Sequence, residues 1–496
     1  MGSTLPHGVA RNSLPSHGIR CVNTRTGTVR RQDSPGHQPC SSWKETILLI
    51  LVLAYSGNPA LGCIFPIEPQ LICLALLVGF LLFRRAGDAI TPRFAGISLV
   101  YILILLVQCL AFSFCPVVTM AGFLIRLFIG YAAFRIIHDF PRTYVHAMYG
   151  LAVTSLIFYF PYAVLSLVGV AVEASAASLS NLLRTTIASD TSSIVRYPLL
   201  LHTFVKDNSL RNLGMFWEPG AFGGYLILAV VFLSMCRSRM DRRMYLRYLG
   251  VTCIAILTTL STTAYVALPL ALALHFNWHL SARKHEVLQK AAVLTFFLPL
   301  FLVICALSYN SLDFLRPKIE SQLDAVRMRQ GSWHRGRMGS IIFDWEYIKR
   351  RPLSGWGLHS KTRYALHPWM EDSQGMGNGM SDFTVRLGLV GMATWLIGTF
   401  LGLLQLSGQS LARTIWAIVI ILLVLQGEIF LGYPCFLGLM FLGGPRRLRT
   451  VATFRVRRPT VRKKSALVSH HSEEMQLATE PSPSRMITSS RRSRSQ

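Results

Sequence analysis

Apolar runs long enough to cross a bilayer recur from residue 45 to residue 443, and at every second boundary the chain places a cluster of arginine or lysine. Phe94 to Cys115, Val117 to Ile137 and Tyr144 to Val170 each span a hydrocarbon core of roughly 30 Å at a helical rise of about 1.5 Å per residue. Hydrocarbon offers the backbone no partners, so each such run must be a helix. With 52% hydrophobic and 15% charged residues, a chain of 496 residues is too apolar to be soluble. The expected class is an all-α polytopic membrane protein.

The basic clusters fall at Arg84-Arg85 and Arg93, His138 to Arg142, Arg237 to Arg247, Arg283-Lys284 and Arg446 to Lys464. This is the positive-inside bias, which places those loops and both termini in the cytoplasm. It accounts for the net charge of +27 without a nucleic-acid partner. One stretch needs arbitration, because Leu246 to Phe276 would make a single helix of about 46 Å, too long for the core. A single span would also put Arg237 to Arg247 and Arg283 to Lys290 on opposite sides, so the stretch reads as a hairpin touching the external face at Ser261 to Thr263. About 12 spans follow, at 45–64, 67–83, 94–115, 117–137, 144–170, 213–235, 246–260, 263–278, 289–308, 387–406, 413–428 and 430–443. The external segments are then 172–212 and 309–386, the larger one standing before the last three spans.

Residues 1–43 and 445–496 flank this domain, 44–444, as Ser/Arg-rich tails without hydrophobic period, expected to be disordered and able to meet anionic lipid. The cysteines sit mostly inside spans, with Cys63 and Cys115 near external ends where a pairing is open. There is no CxxC, HExxH, P-loop or Asp-x-Asp pattern, so neither a metal nor a nucleotide cofactor is expected.

Chemistry concentrates in the external segments. Met338, Ile341, Ile342, Trp345 and Ile348 recur at helical spacing, so Arg337 to Arg350 reads as an amphipathic helix on the bilayer surface, its polar face carrying Asp344 and Arg351. Arg335 and Arg337 stand at its N-terminus, where a dipole repels cations unless an anion is shared between amides and guanidiniums. The alternative is a salt bridge to Asp324 or Glu320. A second cluster, Arg211-Asn-Leu-Gly-Met-Phe-Trp-Glu-Pro-Gly220, enters the next span. Pro219 pushes Glu218 to an extended backbone, fixing a carboxylate at the membrane boundary. Inside the membrane, Arg126 needs a partner, and Glu428 is a possible partner or second catalytic carboxylate.

Arg-x-x-Gly-x-Phe-x-Glu-Pro-Gly before a span, the Leu260 to Thr263 turn, and Arg351-Pro-Leu-Ser-Gly-Trp-Gly357 in the large loop together resemble the O-antigen ligase and polymerase superfamily, over roughly residues 210–395. The resemblance implies a helical, metal-independent glycosyltransferase of the bacterial inner membrane. Its implied partners are a lipid-linked oligosaccharide donor, a glycan acceptor, membrane lipids, and a chain-length regulator and flippase. Ligases in the family carry His-Asn or a similar pair, nine residues, then Gly-x-x-Gly. Here Asn378 precedes Gly388-Leu-Val-Gly391 at that spacing, but Gly377 stands in the histidine position. That departure points to a polysaccharide polymerase, with an O-antigen ligase or protein O-oligosaccharyltransferase as the alternative. A lipid-linked glycan transporter would be expected to show two related halves with broken helices, and no such repeat is visible.

The implied reaction is inverting attack of an acceptor hydroxyl on the anomeric carbon, with lipid diphosphate leaving. Arg211, Arg335, Arg337 and Arg386 are assigned to the diphosphate, Glu218 to the base with His367 as second choice, and Asn378 and Gln374 to sugar hydroxyls. His359 is a further basic candidate, and Trp333, Trp356 and Trp369 are candidates for stacking on sugar or anchoring at the interface.

Overall fold

In the computed structural model residues 42–85, 90–167, 172–189, 192–206, 210–280, 320, 324, 336–370 and 377–443 are described. Both tails but for Ser42 and Trp43, the span expected at 289–308, and Trp333, Arg335 and Gln374 lie outside them, as does the side chain of Trp369. The helices are α1 (Trp43–Tyr55), α2 (Pro59–Ile64), α3 (Ile67–Arg85), α4 (Pro92–Phe112), α5 (Val117–Ile136), α6 (Phe140–Leu167), α7 (Val172–Leu182), α8 (Pro219–Cys236), α9 (Arg242–Thr258), α10 (Thr262–Leu280), α11 (Arg337–Arg350), α12 (Ser360–Arg363), α13 (Gly379–Leu406), α14 (Leu411–Leu425) and α15 (Pro434–Gly438). Among the described residues, six helical segments are long and apolar enough to cross a membrane: Ile67–Arg84, Pro92–Phe112, Val117–Ile136, Phe140–Ser166, Pro219–Arg239 and Gly379–Leu406. The chain is therefore a predominantly helical, multi-pass membrane protein.

The arrangement turns on α8. All 18 of its residues are buried, as expected of a helix that is hydrophobic all round. Lipid is as apolar as leucine, so close packing must hold such a helix inside the protein, and small residues permit it. A Cβ on Gly223 would lie 2.7 Å from that of Ala264 in α10, and Gly224 lies directly against the ring of Phe430. Helices α6, α9, α10 and α14 all pack against α8. The hairpin expected at Ser261 to Thr263 is present, with α9 and α10 separated at Thr259 to Ser261 and Leu260 in the left-handed region at φ 48°.

Three expectations change. The span at 45–64 is two helices, because Asn58 accepts from the amides of Ala60 (2.9 Å) and Leu61 (3.2 Å) and starts α2 with Pro59 in its first turn. The stretch 430–443 is not one helix but α15 between two short 3-10 turns. Gly432, Pro434 and Gly438 interrupt it, and Gly438 packs against the backbone of Gly130 in α5. The class is also not purely α: 172–212 holds α7 and an antiparallel sheet of β1 (Ile187–Ser189), β2 (Ser192–Pro198) and β3 (Thr203–Val205), ordered β1-β2-β3. Val195 and Tyr197 supply the β-branched and aromatic character a strand prefers, and Phe204 packs with Tyr162 beneath it. Cys63 and Cys115 are both free.

The Arg351-Pro-Leu-Ser-Gly-Trp-Gly357 segment is a joint. The Leu389 amide donates to the Pro352 carbonyl (2.7 Å), Trp356 to Val385 (2.8 Å) and Gly357 to Arg386 (3.0 Å), so the motif pairs with the backbone around Gly388. Gly388 has φ 70° and ψ 177°, a conformation for glycine, and a Cβ there would overlap the Leu353 carbonyl. Gln108 of α4 donates to the carbonyls of Ser354 and Arg386 and ties the joint to the bundle.

Against this joint lies α11. Its apolar residues Met338, Ile341, Ile342 and Trp345 are exposed, the face expected for contact with lipid headgroups and chains. Asp344, expected on a solvated polar face, is instead fully buried, because the helix turns Gly339, Ser340, Phe343, Asp344 and Tyr347 inward. Arg351 stacks on Phe112 (4.2 Å) and Trp356 (5.1 Å).

Candidate active site at the N-terminus of the central helix

Glu218 is the N-cap residue of α8, extended at φ −145° and ψ 151°, with Pro219 starting the helix as its sequence position implies. The N-terminus of the most buried helix therefore opens onto a carboxylate. Glu218 stays half-exposed and meets Arg196 of β2 at 3.3 Å, brought there by the Arg196–Val205 pairing with β3.

The preceding motif divides its labour. Asn212 is fully buried, donating to Ser155 Oγ (3.1 Å) and Thr258 Oγ1 (3.0 Å) and accepting from the Gly214 amide (2.9 Å). Gly214, at φ 55°, rests on Phe222. These residues lock the loop and leave Arg211 to face the site. Burial lowers its proton affinity, Glu218 and Glu428 oppose that effect, and Arg337 adds to it, so all four charges share one region with Tyr265.

Arg337 starts α11. It donates to Thr263 Oγ1 (2.9 Å) and to Glu428 Oε1 (3.3 Å), which ties α11 to the hairpin turn and to the chain just beyond α14. Arg337 thus pairs with Glu428. Glu428 is mostly buried, with 13% of its side chain exposed. Burial, reinforced by Glu218, raises its carboxyl above the usual range against the pull of Arg337. Gly220 and Gly379 allow this approach: a Cβ on Gly220 would stand 2.7 Å from Glu428 Oε1, and Gly379 lies on the Glu428 backbone. Three guanidiniums, Arg196, Arg211 and Arg337, thus converge with two carboxylates at a helix N-terminus, a combination that favours a multiply charged anion.

Behind this group lies a second one. Arg363 and Asp344 form a close ion pair, Arg363 also meets Asp382 at 3.0 Å, and Asp382 meets Arg386 at 2.7 Å. Arg363, Asp344 and Asp382 have side chains no more than 1% exposed. Arg386 therefore belongs to the scaffold joining α11, α12 and α13. Ser381 Oγ also donates to Asp344. His367 sits with this group, 3.0 Å from the Tyr347 hydroxyl and against Phe343. Asn378 is buried as the N-cap of α13, accepting from Ser381 (2.9 Å) and donating to Gln426, so its amide is engaged within the protein. His359 caps α12, accepting from the Lys361 amide at 3.2 Å. Trp356 is core, donating to the Tyr347 carbonyl at 2.8 Å.

Of the residues selected from sequence, Arg211, Glu218 and Arg337 come together, and Glu428 joins them. Arg196 and Tyr265 were missed. The strand-like run around Arg196 was a signal available beforehand, whereas nothing local marks Tyr265.

Residues 248–396 match the family described as O-antigen ligase. The match supports the resemblance of this part of the chain to the O-antigen ligase/polymerase superfamily. No curated protein matches it. The matched stretch runs from α9 through the first part of α13 and contains Arg337, the joint and the buried ion network. It favours the ligase reading over the polymerase expected from Gly377.

Proposed function

We propose that the protein is a ligase-type membrane glycan transferase, taking an oligosaccharide from a polyprenyl-diphosphate carrier and joining it to a glycan or other hydroxyl acceptor in cell-surface glycan synthesis. The observation that carries this reading is the meeting of Arg211 and Arg337 with Glu218 at the N-terminus of α8. Arg211 and Arg337 hold the diphosphate, and their charge counts most where negative charge develops on the leaving group. The acceptor oxygen attacks the anomeric carbon from the opposite side, and a carboxylate takes its proton. Basic side chains mark the other end of the bundle, where Arg239 meets Asp139 at 3.6 Å and Arg93 donates to Gly398 and Leu442 carbonyls. By the positive-inside bias the site faces away from the cytoplasm. The polymerase reading keeps one specific support: glycine at residue 377 where ligases of the family carry histidine.

The test is transfer by purified protein supplied with lipid-linked oligosaccharides and candidate acceptors, in EDTA. Release of polyprenyl diphosphate with one glycan joined per acceptor is expected; a ladder of repeats indicates a polymerase. No release from any donor pool contradicts both.

A further inference from the structure

We propose that the cavity where α4 begins, α5 ends and α6 begins is a binding site for an anionic phospholipid of the cytoplasmic leaflet. Arg93 and Arg135 hold its phosphate, and the ring-lined interior takes the apolar part next to the headgroup. The site lies at the end of the bundle opposite the transfer site and does not depend on the transfer reading.

The cavity holds about 250 Å³, several times the ~30 Å³ that one water occupies in the liquid. Phe134, Phe140, Phe441 and Leu442 are buried and form its interior. Phe134 and Phe140 stack there with ring centroids 3.5 Å apart. The outer part is different: Pro92 and Gly443 are exposed, and Arg93 and Arg135 are half-buried. An apolar interior behind a cationic rim fits an amphiphile with a charged head. Free phosphate would gain nothing from the rings, and an uncharged lipid would gain nothing from the guanidiniums.

The charges at the rim are placed for an anion. Arg93 is held by its own contacts, Nη1 donating to the Leu442 carbonyl (3.3 Å) and Nη2 to the Gly398 carbonyl (2.6 Å). A guanidinium carries five N–H donors in a planar fork, so donors remain for phosphate oxygens. Arg135, in the last turn of α5, brings a second guanidinium to the same cavity. Among the described residues no carboxylate lines it. Asp139 lines the neighbouring cavity and meets Arg239 at 3.6 Å, while Glu45 accepts from the His138 amide. The sequence beyond the rim residue Gly443 is itself basic, with Arg446-Arg447 and Arg449. A segment of this chain is therefore a poor occupant for a cavity that already holds two guanidiniums. By the positive-inside bias this end faces the cytoplasmic leaflet, whose anionic headgroups supply the matching charge.

The experiment uses the full chain, delipidated in a neutral detergent, and titrates it with dioleoylphosphatidylglycerol, dioleoylphosphatidylcholine or sodium phosphate at constant ionic strength. Binding is read by native mass spectrometry and by the thermal unfolding midpoint. Phosphatidylglycerol is expected to bind saturably and raise the midpoint, phosphatidylcholine to bind about tenfold or more weakly, and sodium phosphate to leave the midpoint unchanged. Arg93→Gln and Arg135→Gln should each weaken phosphatidylglycerol binding about tenfold or more, the loss of one charge-assisted contact. Arg135→Gln leaves both carbonyl contacts of Arg93 in place, so it keeps the test open if Arg93→Gln fails to fold. Arg243→Gln, exposed on α9 and outside the cavity, should bind as the wild type does. Equal weakening by Arg243→Gln would mark a diffuse attraction to the basic face and overturn the site. So would a midpoint raised as far by sodium phosphate as by lipid, or no saturable binding of phosphatidylglycerol at all.

Discussion

Arg363→Met is expected to destabilise the protein by about 3–5 kcal/mol, read as a lowered midpoint in thermal or denaturant unfolding in detergent. Arg363 lies between Asp344 of α11 and Asp382 of α13, and all three side chains are at most 1% exposed. Removing the cation leaves a buried carboxylate without compensation, which costs more than the pair itself contributes. The double variant Arg363→Met with Asp344→Asn removes that stranded charge while Arg386 still holds Asp382, so it should regain much of the loss. The loosened part is predictable as well, because α11 and the joint at Gly388 are held through this network. Proteolysis should therefore first cut within 337–386. An unchanged midpoint for the single variant would contradict the burial of these charges.

Arg337→Ala is expected to lower kcat/KM for transfer by about 10²–10³-fold, the usual consequence of removing one charge-stabilising donor from a site. The chain should still fold, since Arg337 is partly exposed and its two bonds, to Thr263 and Glu428, are replaceable by water. Arg337→Lys is expected to recover only part, because an ammonium carries the charge without the planar fork that binds two oxygens. Full activity in Arg337→Ala would remove the guanidinium from the reaction.

Sequence carried much of this architecture because in a bilayer hydropathy and basic-residue placement are physical constraints on every span. The hairpin at Leu260 was readable from length and charge together, and Glu218 at a helix entry from Pro219 alone. Other features depend on partners distant in the chain. Asp344 looks solvated on a helical projection, and only the approach of Arg363 and Asp382 makes its burial tolerable. Asn378 carries the family spacing yet works as a cap, and Arg386 is drawn into the ion network. The small sheet escaped because strands of three to seven residues leave little period against so much apolar sequence. Glu428 was legible as a charge out of place, but its surroundings depend on Glu218, 210 positions earlier, coming near it.

A structure of the full chain with undecaprenyl diphosphate bound tests the account most directly. It should place the pyrophosphate oxygens within hydrogen-bond distance of the Arg211 and Arg337 guanidiniums, at the N-terminus of α8 and beside Glu428. A pyrophosphate held elsewhere, for example among Arg93, Arg135 and Arg239 at the opposite end of the bundle, would contradict it.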